Sequence, residues 1–227
     1  MEATESAVRE DWIGGGLVAE PVTAREGEEA LGGAAGREAP AAQAWFRAAM
    51  NAMSRPGTLH AVRSPAALPD HLPAPAAGLL LSLCDADTPV WLSPRLCRSN
   101  WAATWIGFHT GAPVVENIGE AAFAVASRAD ELPPFGRLRG GEPTYPDRSA
   151  TLLIEVDALG EAADVAPLVL TGPGIRGEIE LRVAGLPEDW LALWRDNRAR
   201  FPLGIDVVLV DAERFAALPR SVRIERG

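Results

Sequence analysis

Trp45, Phe46, Ala49, Met50 and Met53 recur at spacings of three and four, which predicts a helix carrying one apolar stripe. Arg47 and Asn51 fall on its other side. The stop is abrupt. Pro56 drives Arg55 out of helical geometry, and Gly57 lets the backbone turn. A short strand over residues 58–62 is expected next. Such an exit presents Ser54 and Arg55 at a fixed place. There Arg55 either holds a phosphate-like oxyanion or simply neutralises the carbonyl end of the helix, and the second role needs no ligand.

The rest of the chain alternates between helical and extended patterns. A buried helical stretch is predicted over residues 76–84, and a turn at Asp85–Pro89 leads into a short buried strand at Val90–Leu92. Ser93 as N-cap and Pro94 at the first position open a predicted helix that runs through Trp101 and Trp105 to about Phe108. Strands are expected at residues 121–126 and 151–156, with a helical turn at 129–132 and a polar loop at 133–149. Two further strands, residues 167–170 and 178–183, flank Thr171-Gly172-Pro173-Gly174. An amphipathic helix over 187–200 turns Trp190, Leu191 and Trp194 inward. A buried strand at 205–210, a short helix at 212–217 and a last strand at 222–224 complete the chain. Interleaved helices and strands with late hairpin-like pairs predict a three-layer α/β/α domain built on a mixed sheet. That domain is expected to span residues 41–227. Residues 1–40, rich in Gly, Ala and Glu without a sustained period, read as a partly disordered tail.

Charge and side-chain chemistry exclude several functions. All 21 basic residues are arginine, so a Schiff-base lysine, a pyridoxal phosphate anchor and a P-loop lysine are ruled out. Net charge is −10, which disfavours nonspecific nucleic-acid binding. Residues 1–40 hold nine acids and three arginines, net −6. The other 22 acids and 18 arginines leave the body at −4, where local arginine clusters can still bind anions. Two cysteines, Cys84 and Cys97, form no CxxC and read as reduced thiols of a cytoplasmic protein. The first nine residues are acidic rather than signal-like, and the longest apolar runs are too short to cross a bilayer. His60, His71 and His109 share no metal-ligand spacing, so no metal is expected.

Three clusters remain. The Thr171–Ile175 stretch resembles a phosphate cradle, but Pro173 removes a backbone donor and no GK[ST] follows, so a strand-to-strand turn is expected. Asp85 and Asp87 are either an acid–base or Mg²⁺ pair or a capped turn, the latter preferred. The richest is Tyr145-Pro146-Asp147-Arg148-Ser149, at the mouth of a buried strand. Two readings stand level here. Tyr145, Asp147, Arg148 and Ser149 form a catalytic or anion-binding loop, or an Asp–Arg pair anchors the strand. Asp206 stands at the start of the strand at 205–210, and Arg220 leads into the last strand; if those ends meet the Tyr145 loop, they join Arg148.

In order along the chain, Ser54-Arg55-Pro56-Gly57-Thr58, Asp85 to Trp91, and Phe108 to Pro113 precede Tyr145 to Leu152, Leu170 to Ile175, Phe201 to Asp206 and Leu218-Pro219-Arg220. This series resembles the H subunit of the bacterial carbon–phosphorus lyase system, the PhnH family, from about residue 41 to the end. Residues 23–40 depart from the family pattern as an insertion. The resemblance implies a fold like the large domain of pyridoxal-phosphate-dependent transferases, without that or any other cofactor. It also implies a homodimer that joins the G, I and J subunits in a cytoplasmic complex. That complex transfers a phosphonate onto the ribose of ATP with loss of adenine. No independent catalysis is expected, and Arg55, Arg148 and Arg220 are the expected contacts to phosphonate or ATP. The competing expectation is a stand-alone phosphoryl- or glycosyl-transfer enzyme that uses the Tyr145–Ser149 loop.

Overall fold

A computed structural model describes residues 39–61, 63, 68–128, 131–160 and 164–227. The predicted tail therefore lies outside the described residues, except for its last two. The opening helix, α1, spans Ala39–Ser54 and begins earlier than its apolar spacing indicates. Its inward face also differs from the predicted stripe. Trp45, Ala49 and Ala52 are buried, while Phe46 and Met50 are 50% and 55% exposed. The reason is close packing. Trp45 stacks on Phe215 with ring centroids 6.0 Å apart and lies so tightly on Gly78 that a Cβ there would come within 2.2 Å of the indole. Gly78, with no Cβ, permits that approach, and the small Ala49 and Ala52 fill the rest of the inward face.

Three more helices follow: α2 (Ala74–Leu83), α3 (Trp101–Thr110) and α4 (Trp190–Ala199). Strands β1 (His60–Ala61), β2 (Val90–Leu92), β3 (Phe123–Ala126), β4 (Thr151–Glu155), β9 (Asp206–Val210) and β10 (Arg214–Leu218) make a six-stranded sheet ordered β1-β10-β9-β4-β3-β2. The four strands from β2 to β9 run parallel, whereas β10 is antiparallel to both β9 and β1. Short strands β5 (Ala158–Leu159) and β8 (Val183–Ala184) pair with each other. The antiparallel strands β6 (Leu168–Thr171), β7 (Ile179–Leu181) and β11 (Arg223–Arg226) form a small sheet ordered β11-β6-β7.

Side-chain alternation divides the core in two. Val125, Leu153, Val208, Val210 and Phe215 meet α1, α2 and α3 on one face. Leu152, Ile154, Val207, Leu209 and Leu218 meet Trp190 and Trp194 of α4 and the small sheet on the other. Every residue of β9 is buried, as expected of an interior parallel strand covered on both sides. The mixed sheet is as expected, but its second cover is part helix and part sheet.

Two helical expectations fail for physical reasons. Residues 212–217 do not form a helix. Asp211 Oδ1 accepts from the backbone N–H groups of Glu213 and Arg214, at 2.9 and 2.6 Å, which turns the chain into β10. The apolar run Phe215–Leu218 then pairs along β9, and a run this short has no decisive period. Ser93 does not cap a helix either. Its hydroxyl donates to Glu131 Oε2 at 2.6 Å, turns follow it, and α3 starts only at Trp101. The predicted strand over 58–62 shrinks to β1, with Val62 outside the described residues, and the helical turn at 129–132 falls partly outside them. Both cysteines are free thiols, and burial, with Asp85 adding, pushes Cys84 up to about 12.

The Trp45–Gly78 contact predicts a large effect from one methyl group. Gly78→Ala should cost about 1–3 kcal/mol or more in urea unfolding by overpacking. Gly136→Ala, where a Cβ meets nothing within 4 Å, should change stability by under about 0.5 kcal/mol.

Candidate functional site

Of the residues singled out in the sequence, Asp206, Arg220 and the Tyr145 loop meet at the amino-terminal edge of the parallel strands. Thr151 and Asp206 are register partners at the starts of β4 and β9, so residues 145–150 and 201–205 enter the sheet side by side. Because β10 runs the other way, its exit brings Arg220 back to the same edge. Arg220 Nε and its backbone N–H donate to Asp206 Oδ1 at 3.0 and 2.8 Å, and Nη2 donates to Oδ2 at 2.5 Å. Nη1 donates to the carbonyls of Pro146 and Pro202 at 2.7 and 3.2 Å. Both side chains are nearly buried, at 14% and 12% exposure. One guanidinium thus ties together the Tyr145 loop, the loop before β9 and the end of β10. Asn197 of α4 completes the edge by exchanging amide hydrogen bonds with Ile205, at 2.9 and 2.8 Å.

Tyr145, Asp147 and Arg148 stand exposed on the outer side of this clasp. The Arg148 guanidinium lies 3.9 Å from the centroid of the Tyr145 ring, a cation–π pair. Pro146–Arg148 is one 3-10 turn, and Ser149 Oγ is buried without a hydrogen-bond partner among the described residues. Arg220 therefore meets the chain two residues before Arg148, whose own guanidinium lies on the Tyr145 ring. Arg55 is exposed at the end of α1, whose exit is pinned by a Gly57 N–H···O=C Ala217 bond of 3.1 Å. Gly57 takes φ +78°, and a Cβ on it would strike Leu170 at 2.8 Å. Burial, helped by the Arg55 charge, lowers the His60 imidazole pKa. The glycine stretch after β6 is the expected turn, and Gly174 lies against the Ser54 carbonyl. Asp85 Oδ1 accepts from Thr88 Oγ1 at 2.6 Å and Asp87 N at 3.0 Å, which is the capped turn.

A different cluster occupies the opposite, carboxyl-terminal edge. A cavity of about 610 Å³ is lined by His71, Arg95, Ser127, Arg128, Glu155 and Asp157, among others. Behind it Glu131 Oε2 accepts from Ser93 Oγ (2.6 Å) and Ser127 Oγ (2.8 Å), and Oε1 accepts from the Arg95 backbone N–H at 3.0 Å. Ser93 and Ser127 are fully buried. A smaller cavity of about 420 Å³ lies between Thr58 and Arg182. Neither is lined by Arg55, Arg148 or Arg220. Sequence reading missed the carboxyl-edge cluster because its members are scattered. The available signal was a polar residue directly after, or closing, each apolar run: Ser93, Ser127-Arg128 and Glu155. Among the described residues no group of three or more His, Cys, Asp or Glu is placed to hold a metal ion.

Two measurements separate the edges. Arg220→Ala should cost about 3 kcal/mol in urea unfolding, since it strands the near-buried Asp206 carboxylate. Arg148→Ala should cost no more than about 1 kcal/mol, because its ring contact is exposed. At the other edge, burial raises the Glu155 carboxyl, opposed by Arg95 and Arg128 and aided by Asp157. A folded-state pKa above the unfolded one favours folding at low pH and is lost as pH rises through it. Glu155→Gln should therefore raise Tm at pH 7, and the advantage should vanish as pH falls toward 4.

The family described as "Bacterial phosphonate metabolism protein (PhnH)" matches residues 34–225. The chain is 44% identical over 185 residues to alpha-D-ribose 1-methylphosphonate 5-triphosphate synthase subunit PhnH of Rhizobium meliloti (strain 1021). That alignment covers 82% of this chain and 90% of the relative. It is also 31% identical over 187 residues to the putative C-P lyase subunit protein HtxG of Stutzerimonas stutzeri, covering 82% and 87%. The clasp at the amino edge is built from three of the motifs that resemble this family, and the chain belongs to the PhnH family of bacterial phosphonate metabolism proteins.

Proposed function

We propose that this chain is a subunit of a carbon–phosphorus lyase complex, required for forming ribose 1-phosphonate 5-triphosphate from ATP and an alkylphosphonate. The observation that carries this reading is the 44% identity, over 82% of this chain, with a relative named as a subunit of that synthase. The second relative is likewise named as a lyase subunit.

The role is chiefly one of assembly. Tyr145, Asp147 and Arg148 stand in solvent, and most Arg220 donors serve Asp206 and two carbonyls, so the amino edge resembles a brace more than a reaction centre. Nothing in that geometry favours a stand-alone transferase. In this reading the chain forms a homodimer, works in the cytoplasm and contacts the G, I and J subunits. Its framework is a relative of the large domain of pyridoxal-phosphate-dependent transferases, a likeness supported by the parallel strands of the mixed sheet; the lack of lysine fits the cofactor-free part of this reading. Any anion met at the amino edge falls to the exposed Arg55 and Arg148, with Arg220 supporting the loop beneath.

Reconstitution tests the proposal. Leaving this chain out should abolish ribose phosphonate formation from ATP and methylphosphonate, and the purified chain alone should show no turnover. Undiminished product without it would contradict the role. Turnover by the isolated chain, lost in Asp147→Asn, would favour the enzyme reading.

A further inference from the structure

The geometry points to the cavity at the carboxyl edge of the sheet as a binding site for a small organic phosphate or phosphonate that also carries hydroxyl or ammonium donors. This does not depend on membership of any complex.

The cavity lies at a crevice of the sheet. Strands β2, β3 and β4 all end at this cavity, and Ala212, just past β9, lines it too. The chain leaving β2 goes to α3 in the helical layer, whereas the chains leaving β3 and β4 go to Phe135 and Leu159 in the other layer. Segments that part to opposite faces open a crevice outside the strand ends, which is where ligands of open α/β sheets sit. At about 610 Å³ the cavity falls in the usual range for small-molecule sites.

The cavity wall is also preorganised. Arg95 and Arg128 belong to the segments that follow β2 and β3. Those two segments are tied to one carboxylate, because Glu131 accepts from Ser93 Oγ, Ser127 Oγ and Arg95 N. A further bond of 3.2 Å runs from the Ser127 backbone N–H to Ser93 Oγ. The bases of both arginine arms are thereby fixed before any ligand arrives. His71 Nδ1 lies 3.5 Å from Arg95 Nη2, extending the polar wall.

Charge decides the class. Two guanidiniums offer an oxyanion site of the kind that phosphates and phosphonates fill. Glu155 and Asp157 line the same cavity, and the Glu155 carboxyl lies in the field of Arg95 and Arg128. A bare polyanion would be repelled by that second wall. A molecule with an oxyanion at one end and hydrogen-bond donors at the other satisfies both.

Calorimetric titration of the full chain tests this with four probes: glycerol 3-phosphate, 2-aminoethylphosphonate, inorganic phosphate and glycerol. At least one organic phosphate or phosphonate should bind at least tenfold more tightly than inorganic phosphate, and glycerol should not bind. The first two probes separate a hydroxyl-bearing from an ammonium-bearing ligand. Arg95→Gln with Arg128→Gln should weaken binding at least tenfold, while Arg176→Gln in the exposed β6–β7 turn should leave it unchanged. Should the double variant not fold, phenylglyoxal labelling of the wild-type chain replaces it, with Arg95 and Arg128 protected by the bound probe. Inorganic phosphate binding as tightly as the organic probes, no binding of either organic probe, or no protection of these two arginines would overturn the assignment.

Discussion

The ion pair between Asp206 and Arg220 is the contact on which the amino edge of the sheet depends. Parallel strands do not share hairpins, so their starting loops have no local reason to stay together. Here Asp206 heads β9, and Arg220 follows the antiparallel β10. Arg220 reaches over the edge to the carbonyl before Asp147 in the loop that feeds β4. Nearly buried, the pair is compensated by a bidentate contact and three further backbone hydrogen bonds, the condition under which such a pair is tolerated. The exit of α1 arrives beside it through Gly57 and Ala217.

This arrangement gives the sheet two unlike ends. At the amino end, charge is spent on joining chain segments, and what remains outside is a solvent-facing Tyr145–Arg148 stack. At the carboxyl end, charged groups line a cavity, and a network centred on Glu131 lies behind them. A division of this kind suits a subunit that must be rigid where its loops converge. Its cavity lies at the other end, lined by Arg95, Arg128, Glu155 and Asp157.

Much of the fold was legible in the sequence. The exit at Pro56-Gly57, the buried runs at β4 and β9, the capped turn at Asp85 and the turn after β6 all follow from local rules about proline, glycine and apolar continuity. The inward face of α1 was not, because the core position is filled by Ala49 and Ala52 and decided by how closely Gly78 lets Trp45 approach. Nor was β10, whose alanines suit a helix until the Asp211 turn and pairing with β9 impose a strand. At the site, the meeting of Asp206, Arg220 and the Tyr145 loop was foreseen as a conditional, since it needs the strand directions. The carboxyl-edge cluster was hidden because Arg95, Arg128 and Glu155 become neighbours only once the strands are ordered. Long-range order, not local propensity, separates what could be read from what could not.

Complementation tests the functional account most directly. A Rhizobium meliloti strain lacking its own PhnH, supplied with this chain, should regain growth on methylphosphonate as sole phosphorus source. The same chain carrying both Asp206→Ala and Arg220→Ala should restore little or none. Absence of rescue by the unaltered chain, expressed and folded, would contradict its assignment to phosphonate breakdown, and full rescue by the double variant would contradict the role given to the clasp.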